Sequence, residues 1–181
     1  AGISFTFPIT MLISHLVFGI NIALSSVAAR LIGANNLGDT RRVVLHGLIM
    51  AFSAASIIAL LTYSFLEPLF MLLGADEATY PAIAAYMPLW LIASVVLSLP
   101  VNANSALRAG GDAKTPANVM TFIALVNFVL DPILIFGIEG IVPAMGVTGA
   151  AIATLVAYSA GMVVGLYIVV IRRKLVATDS L

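Results

Sequence analysis

Five long apolar stretches, residues 3–29, 43–66, 81–107, 116–137 and 147–171, restrict what this chain can fold into. Each exceeds or matches the roughly 20 helical residues needed to cross a hydrocarbon core of about 30 Å. In lipid every backbone amide and carbonyl must find its partner within the protein, so single stretches of this kind form helices. The expected fold is all-α, a polytopic membrane helix bundle, with residues 69–73 read as an extension of the second span. Short connectors carry the breakers that end each span: Gly33 to Asp39, Gly74 to Glu77, Gly110 to Asp112, and Gly137 to Gly146. Pro81 and Pro116 stand at span starts, where a missing amide costs little. Of the 181 residues 62% are hydrophobic and 9% charged. A water-facing domain carries about a quarter charged residues, so a soluble fold is excluded. The absence of cysteine removes disulfide and thiolate chemistry. The first methionine, Met11, already lies inside an apolar run, and the chain is read as a piece of a longer protein.

Charge placement sets the orientation. Arg30, Arg41 and Arg42 flank the first connector, Arg108 and Lys114 the third, and Arg172, Arg173 and Lys174 follow the fifth span. These are all eight Lys and Arg residues, and with alternating spans all fall on one side. The second and fourth connectors hold Asp76, Glu77 and Glu139 and no base. The bundle therefore has a basic face and an acidic face. The positive-inside rule makes the basic one cytoplasmic, with connectors 30–42, 108–115 and 172–181 inside a multi-pass inner (plasma) membrane protein. Arg172, Arg173 and Lys174 touch anionic headgroups at most and mainly set topology. Bases clustered at span ends rather than along a groove give no support for nucleic-acid binding.

Asp131 is the one acid clearly interior to a span. A carboxylate near the centre of a bilayer helix costs about 2.5–3.5 kcal/mol on insertion scales, and such residues mark ion or substrate handling. Asn127 precedes it by four residues and shares its helix face. Pro132 removes an amide and leaves the carbonyl of Phe128 unbonded in the helix. Tyr86 lies about five residues into the third span and Thr154 about seven into the fifth, depths at which both reach the level of Asp131.

Plainer roles stand beside these. Asp131 also reads as a structural acid satisfied by Asn127 and neighbouring helices, and Asn127 as an interhelical hydrogen bond. Tyr86 reads equally as an interfacial aromatic anchor, and Thr154 as a hydroxyl bonded to its own backbone. Asn102 and Asn104 lie toward the basic end of the third span, about 15 Å from the depth of Asp131, where Asn104 lines a cavity or the connector. His15 beside Ser14 suggests a proton relay, but a neutral histidine bonded across helices is the better reading. Asn21 reads as interhelical glue, and the spacings Gly161 to Gly165 and Gly146 to Gly149 allow close helix packing.

Four segments together resemble the multidrug and toxic compound extrusion (MATE) transporters. They are Ser25 through Ala34, Leu107 through Asp112 with Thr115 and Pro116, Asn127 through Gly137, and Gly146 through Thr154. Their order and spacing are similar to the second to sixth helices of that family, which covers essentially the whole chain. The resemblance implies twelve helices in two bundles, with this chain supplying most of the N-terminal bundle and lacking its first helix and the C-terminal bundle. It implies alternating access driven by a proton or sodium gradient, and export of lipophilic, often cationic, drug-like molecules, with no cofactor beyond the coupling ion. In the DinF-like and archaeal subgroup, the cation-site Asn and Asp map onto Asn127 and Asp131. A Tyr and a Thr of the same site map by position onto Tyr86 and Thr154. The partner acid of the first helix has no counterpart in this chain.

Rival functions are weaker on the residues present. A lipid-linked oligosaccharide flippase of the same superfamily would need cationic groups in its cavity, and no Lys or Arg lies inside a predicted span. An intramembrane enzyme needs a nucleophile–base pair or metal ligands, which two separated histidines and one interior acid do not supply. A cation channel built from a ring of Asp131 side chains would be told apart by ohmic conductance.

Overall fold

The computed structural model describes residue 4 and residues 6–176. It contains five membrane-length helices and one short one: α1 (Phe7–Gly33), α2 (Leu37–Ser64), α3 (Leu66–Leu72), α4 (Tyr80–Ala109), α5 (Lys114–Phe136) and α6 (Gly146–Leu166). A π-helical turn, Tyr167–Arg172, continues α6, so that the fifth span runs Gly146–Arg172. All five predicted spans are present, as an all-α bundle. The expected start of the first span at Ile3 and the residues beyond 176 of the last connector lie outside the described residues.

Two sequence expectations are corrected. Residues 69–73 do not extend the second span. The chain breaks at Phe65 and restarts as α3, which turns Phe70 inward until it is wholly buried against the α4 core. The bases sit mostly in helices rather than connectors: Arg30 and Arg108 in the last turns of α1 and α4, and Arg41 and Arg42 within α2. The helices outrun their apolar stretches because backbone hydrogen bonding continues into the polar boundary. The first true connector is only residues 34–36. There Asn36 caps α2, its Oδ1 accepting from the Asp39 amide at 3.1 Å.

α4 is the hub. It packs against α1, α2 and α6, whereas α5 packs mainly on α6. Residues 102–107 are buried on every side of the α4 helix, as expected of a segment with neighbours all round. Toward the acidic face the core comprises Ile13, Phe70, Ile83, Met87 and Leu91. Toward the basic face it comprises Val44, Leu48, Ala106, Leu107 and Val169. Many fully buried positions are alanines, among them Ala28, Ala51, Ala93, Ala103, Ala153 and Ala157. Small side chains let helix backbones approach where lipid supplies no hydrophobic drive between them. Ile22, Leu60 and Phe128 face outward, 65–76% exposed, as an apolar surface meant for lipid or another bundle would have them.

The α5–α6 pair is pinned by glycines. A Cβ on Gly149 would fall 2.3 Å from the Leu134 carbonyl oxygen, and one on Gly161 2.2 Å from Ile123 Cδ1. Between the two helices Gly137 adopts φ 77°, a left-handed conformation suited to glycine. A side chain there would meet the Val142 carbonyl at 2.6 Å.

Candidate functional site

The glycine contacts determine which polar groups meet. With Gly149 seated on Leu134 and Gly161 on Ile123, antiparallel α5 and α6 bring Asn127 opposite Thr154. Asn127 Nδ2 donates to Thr154 Oγ1 at 3.5 Å, the outer limit of a hydrogen bond. The Thr154 hydroxyl in turn donates to the carbonyl of Ala150 at 2.9 Å. Thr154 therefore bonds its own backbone, the plainer of its sequence readings, and also accepts across the helix pair.

Asp131 stands one turn beyond Asn127 on α5, about 7.5 Å along the axis from the helix end at Phe136. Its Oδ1 is buried and has no hydrogen-bond partner among the described residues. Asn127 does not supply that partner, because its amide is turned to Thr154. Tyr86 on α4 lies within electrostatic range of Asp131 and of a second phenol, Tyr158 on α6. Asn127, Asp131 and Thr154 thus lie together on the α5–α6 pair, and the Tyr86 phenol on α4 feels both Asp131 and Tyr158 electrostatically.

Tyr158 escaped sequence reasoning. It lies four residues after Thr154, the spacing that singled out Asn127 and Asp131, and it packs on the Val119, Ile123 and Ala157 cluster. Tyrosine counts as apolar in a hydropathy reading, which hides it in a helix as oily as α6.

Asn104 does not belong to this neighbourhood. It is on the same face of α4 as Tyr86 but five turns away, about 27 Å along the helix. Only 1% exposed, it is sealed within the bundle, on the helix that packs against α1, α2 and α6. Its side-chain amide has no partner among the described residues, and neither does Oδ1 of Asn102, whose Nδ2 donates to the Ser98 carbonyl at 2.8 Å. The adjoining clasp is satisfied. Asn21 on α1 donates to the Val101 carbonyl at 2.7 Å, and its Oδ1 accepts from Arg108 Nη2 at 3.2 Å. Ser105 Oγ donates to the Asn21 carbonyl at 3.1 Å. Asn21 is the interhelical link its sequence position suggested. His15 is not bonded across helices: its Nδ1 donates to the Met11 carbonyl of its own helix at 2.6 Å, and the side chain is exposed.

Comparison with known proteins agrees with this architecture. The family model described as MatE matches residues 1–133. A protein of Shewanella oneidensis named FAD transporter is 38% identical over 175 residues, covering 97% of this chain and 38% of that protein. The probable multidrug resistance protein YoeA of Bacillus subtilis is 28% identical over 156 residues, covering 86% of this chain and 34% of its own length. Among solved structures, the D35N mutant of the Vibrio cholerae MATE transporter VcmN superposes with a TM-score of 0.91 at 30% identity. That match covers 98% of this chain and 39% of the transporter. The chain spans between a third and two fifths of the length of these relatives.

Proposed function

The chain belongs to the MatE family, and from that footing we propose that it forms most of the N-terminal bundle of a cation-driven exporter of lipophilic, often cationic, compounds. The basic connectors are cytoplasmic in this reading, and a C-terminal bundle of the same protein completes the translocation path. The observation that carries it is the Asp131 carboxyl: an ionisable group with a buried, unbonded oxygen, held among membrane-length helices within electrostatic range of Tyr86. A carboxylic acid is neutral in a dry bundle and ionised where water or a cation reaches it. Binding and release of a proton or sodium ion at Asp131 would bias two helix arrangements, with the backbone discontinuity at Pro132 serving as the bend. Asn127 and Thr154 hold α5 against α6 close to that carboxylate and offer neutral oxygens to a cation. Cargo enters in one arrangement and leaves in the other.

A second reading of the cargo is favoured by one observation, the 38% identity to a protein named FAD transporter. A flavin dinucleotide carries two phosphates, and within this bundle all bases lie toward one face. On that reading the cationic contacts come from the C-terminal bundle.

The test is efflux from vesicles containing the full-length protein, with ethidium and FAD as alternative cargoes under imposed proton or sodium gradients. Asp131→Asn is expected to abolish gradient-driven efflux of whichever cargo moves. Undiminished export by that variant refutes the coupling role, and ohmic conductance without a gradient requirement would identify a channel instead.

A further inference from the structure

On the face of the bundle away from α6, toward the basic end, a groove of about 230 Å³ runs between α1 and α2. Its floor forms where Leu24 packs on Gly47, so closely that a Cβ there would lie 2.6 Å from Leu24 Cδ1. Ala23 and Val27 on α1 and Val43 and Met50 on α2 form its apolar walls, and His46 stands at its neck. Helical spacing then places charge at one end. Arg30 is one turn beyond Val27 on the same face of α1, and Arg42 is one turn before His46 on α2. α1 ends at Gly33 and α2 begins at Leu37, so both guanidinium groups stem from within about 8 Å of the basic end of their helices.

Neither arginine is neutralised within the bundle. Arg30 has no ion pair among the described residues, and Arg42 meets only Asp39, at 3.9 Å with both side chains more than half exposed. A surface pair that long contributes little. A second groove between α2 and α4, lined by Phe52, Leu60, Pro88 and Val95, is larger at about 630 Å³ but has no base at either end. Of these two grooves, the α1–α2 groove has an arginine one helical turn beyond its lining on each helix, at headgroup depth.

We propose that this groove is a binding site for one anionic phospholipid of the surrounding bilayer, its acyl chain lying along Val27 and Met50 and its phosphate held between Arg30 and Arg42. The site is separate from Asp131 and independent of the cargo. It makes the α1–α2 hairpin sensitive to the acidic lipid content of the leaflet it faces.

The test is native mass spectrometry of the full-length protein released from nanodiscs of mixed phosphatidylglycerol and phosphatidylcholine. The native protein is expected to retain one phosphatidylglycerol in preference to phosphatidylcholine. Either Arg30→Gln or Arg42→Gln should lower that retention roughly fivefold, and the pair roughly twentyfold to thirtyfold. Val27→Phe, which fills the channel and leaves both charges, should also abolish it. Lys114→Gln removes a base from the same face outside the groove and should change nothing. Equal retention of the two lipids overturns the proposal. So does retention that survives the double arginine change or Val27→Phe, or that falls as far with Lys114→Gln.

Discussion

Two glycines of α6 give a test of how the candidate site is held together. Gly149 and Gly161 each leave room for less than a methyl group, with a Cβ meeting its nearest atom at 2.3 Å and 2.2 Å respectively, where ordinary contact begins at 3.4 Å. The overlaps match, but the obstacles differ. At Gly149 they are the carbonyl carbon and oxygen of Leu134, which move only with α5 itself. Gly149→Ala must therefore part the two helices by about 1 Å, and overpacking of this kind costs about 1–3 kcal/mol. Replacing glycine by alanine in a helix returns about 1 kcal/mol, leaving a net loss of about 0–2 kcal/mol. At Gly161 the obstacles are Cδ1 and Cγ1 of Ile123, side-chain atoms that can turn off their rotamer for about 0.5–1.5 kcal/mol, so Gly161→Ala should be close to neutral. The functional consequence separates them further. Thr154 lies five residues from Gly149 and contacts Asn127 at 3.5 Å, so a parting of about 1 Å ends that contact. Thermal unfolding of the full-length protein in detergent should rank Gly149→Ala below Gly161→Ala, and vesicle efflux should fall only in the first. Equal stability of the two variants, or greater damage at Gly161, would refute the assignment of backbone contact as the feature that holds α5 to α6.

Further outcomes follow from the basic end of the bundle. Asp112 accepts from the Thr115 amide at 2.9 Å and the Thr115 hydroxyl at 2.7 Å, and the Arg173 guanidinium also contacts it. The Thr115 bonds first, and Arg173 after them, hold its carboxyl below the ordinary carboxylate range. A depressed acid contributes fully above its unfolded value of about 3.9 and loses that contribution only as pH falls through the lower native value. Hydrogen exchange at residues 110–113 should therefore be equally protected at pH 5 and pH 7, and faster at both in Asp112→Asn; loss of protection in the native protein at pH 5 would contradict this. Asn21→Ala removes two side-chain bonds between α1 and α4 and should destabilise the bundle by about 1–3 kcal/mol, read as a lower unfolding temperature. An unchanged transition would mean those bonds are replaced on mutation.

The spans were legible because crossing a bilayer imposes a length, and because the breakers fall where the oil ends. What hydropathy could not separate was a longer second helix from a break at Phe65 followed by α3. Both are apolar, and only the burial of Phe70 against α4 decides between them. Half of the site was legible for a similar reason. Asn127 and Asp131 are four residues apart, and local spacing alone places them on one helix face. Their partners depend on how far α5 and α6 interpenetrate, and no residue count contains that distance. Gly149 and Gly161 set it, and those glycines read in sequence only as permission for close packing. Arg108 was likewise assigned to a connector, although as a helical residue it reaches back to Asn21.

The division of labour within α5 bears on how a charge could change there without undoing the fold. Asn127 spends its amide on Thr154, and the glycine contacts on either side hold the helix pair through backbone and aliphatic atoms. Asp131 takes no part in either, its Oδ1 having no bond among the described residues. Had Asn127 bonded Asp131 instead, neutralising the acid would have rearranged the α5–α6 seam and changed stability along with it. With the seam held independently, a change of charge at Asp131 would reach Tyr86 on the hub helix α4 electrostatically and leave the α5–α6 contacts in place.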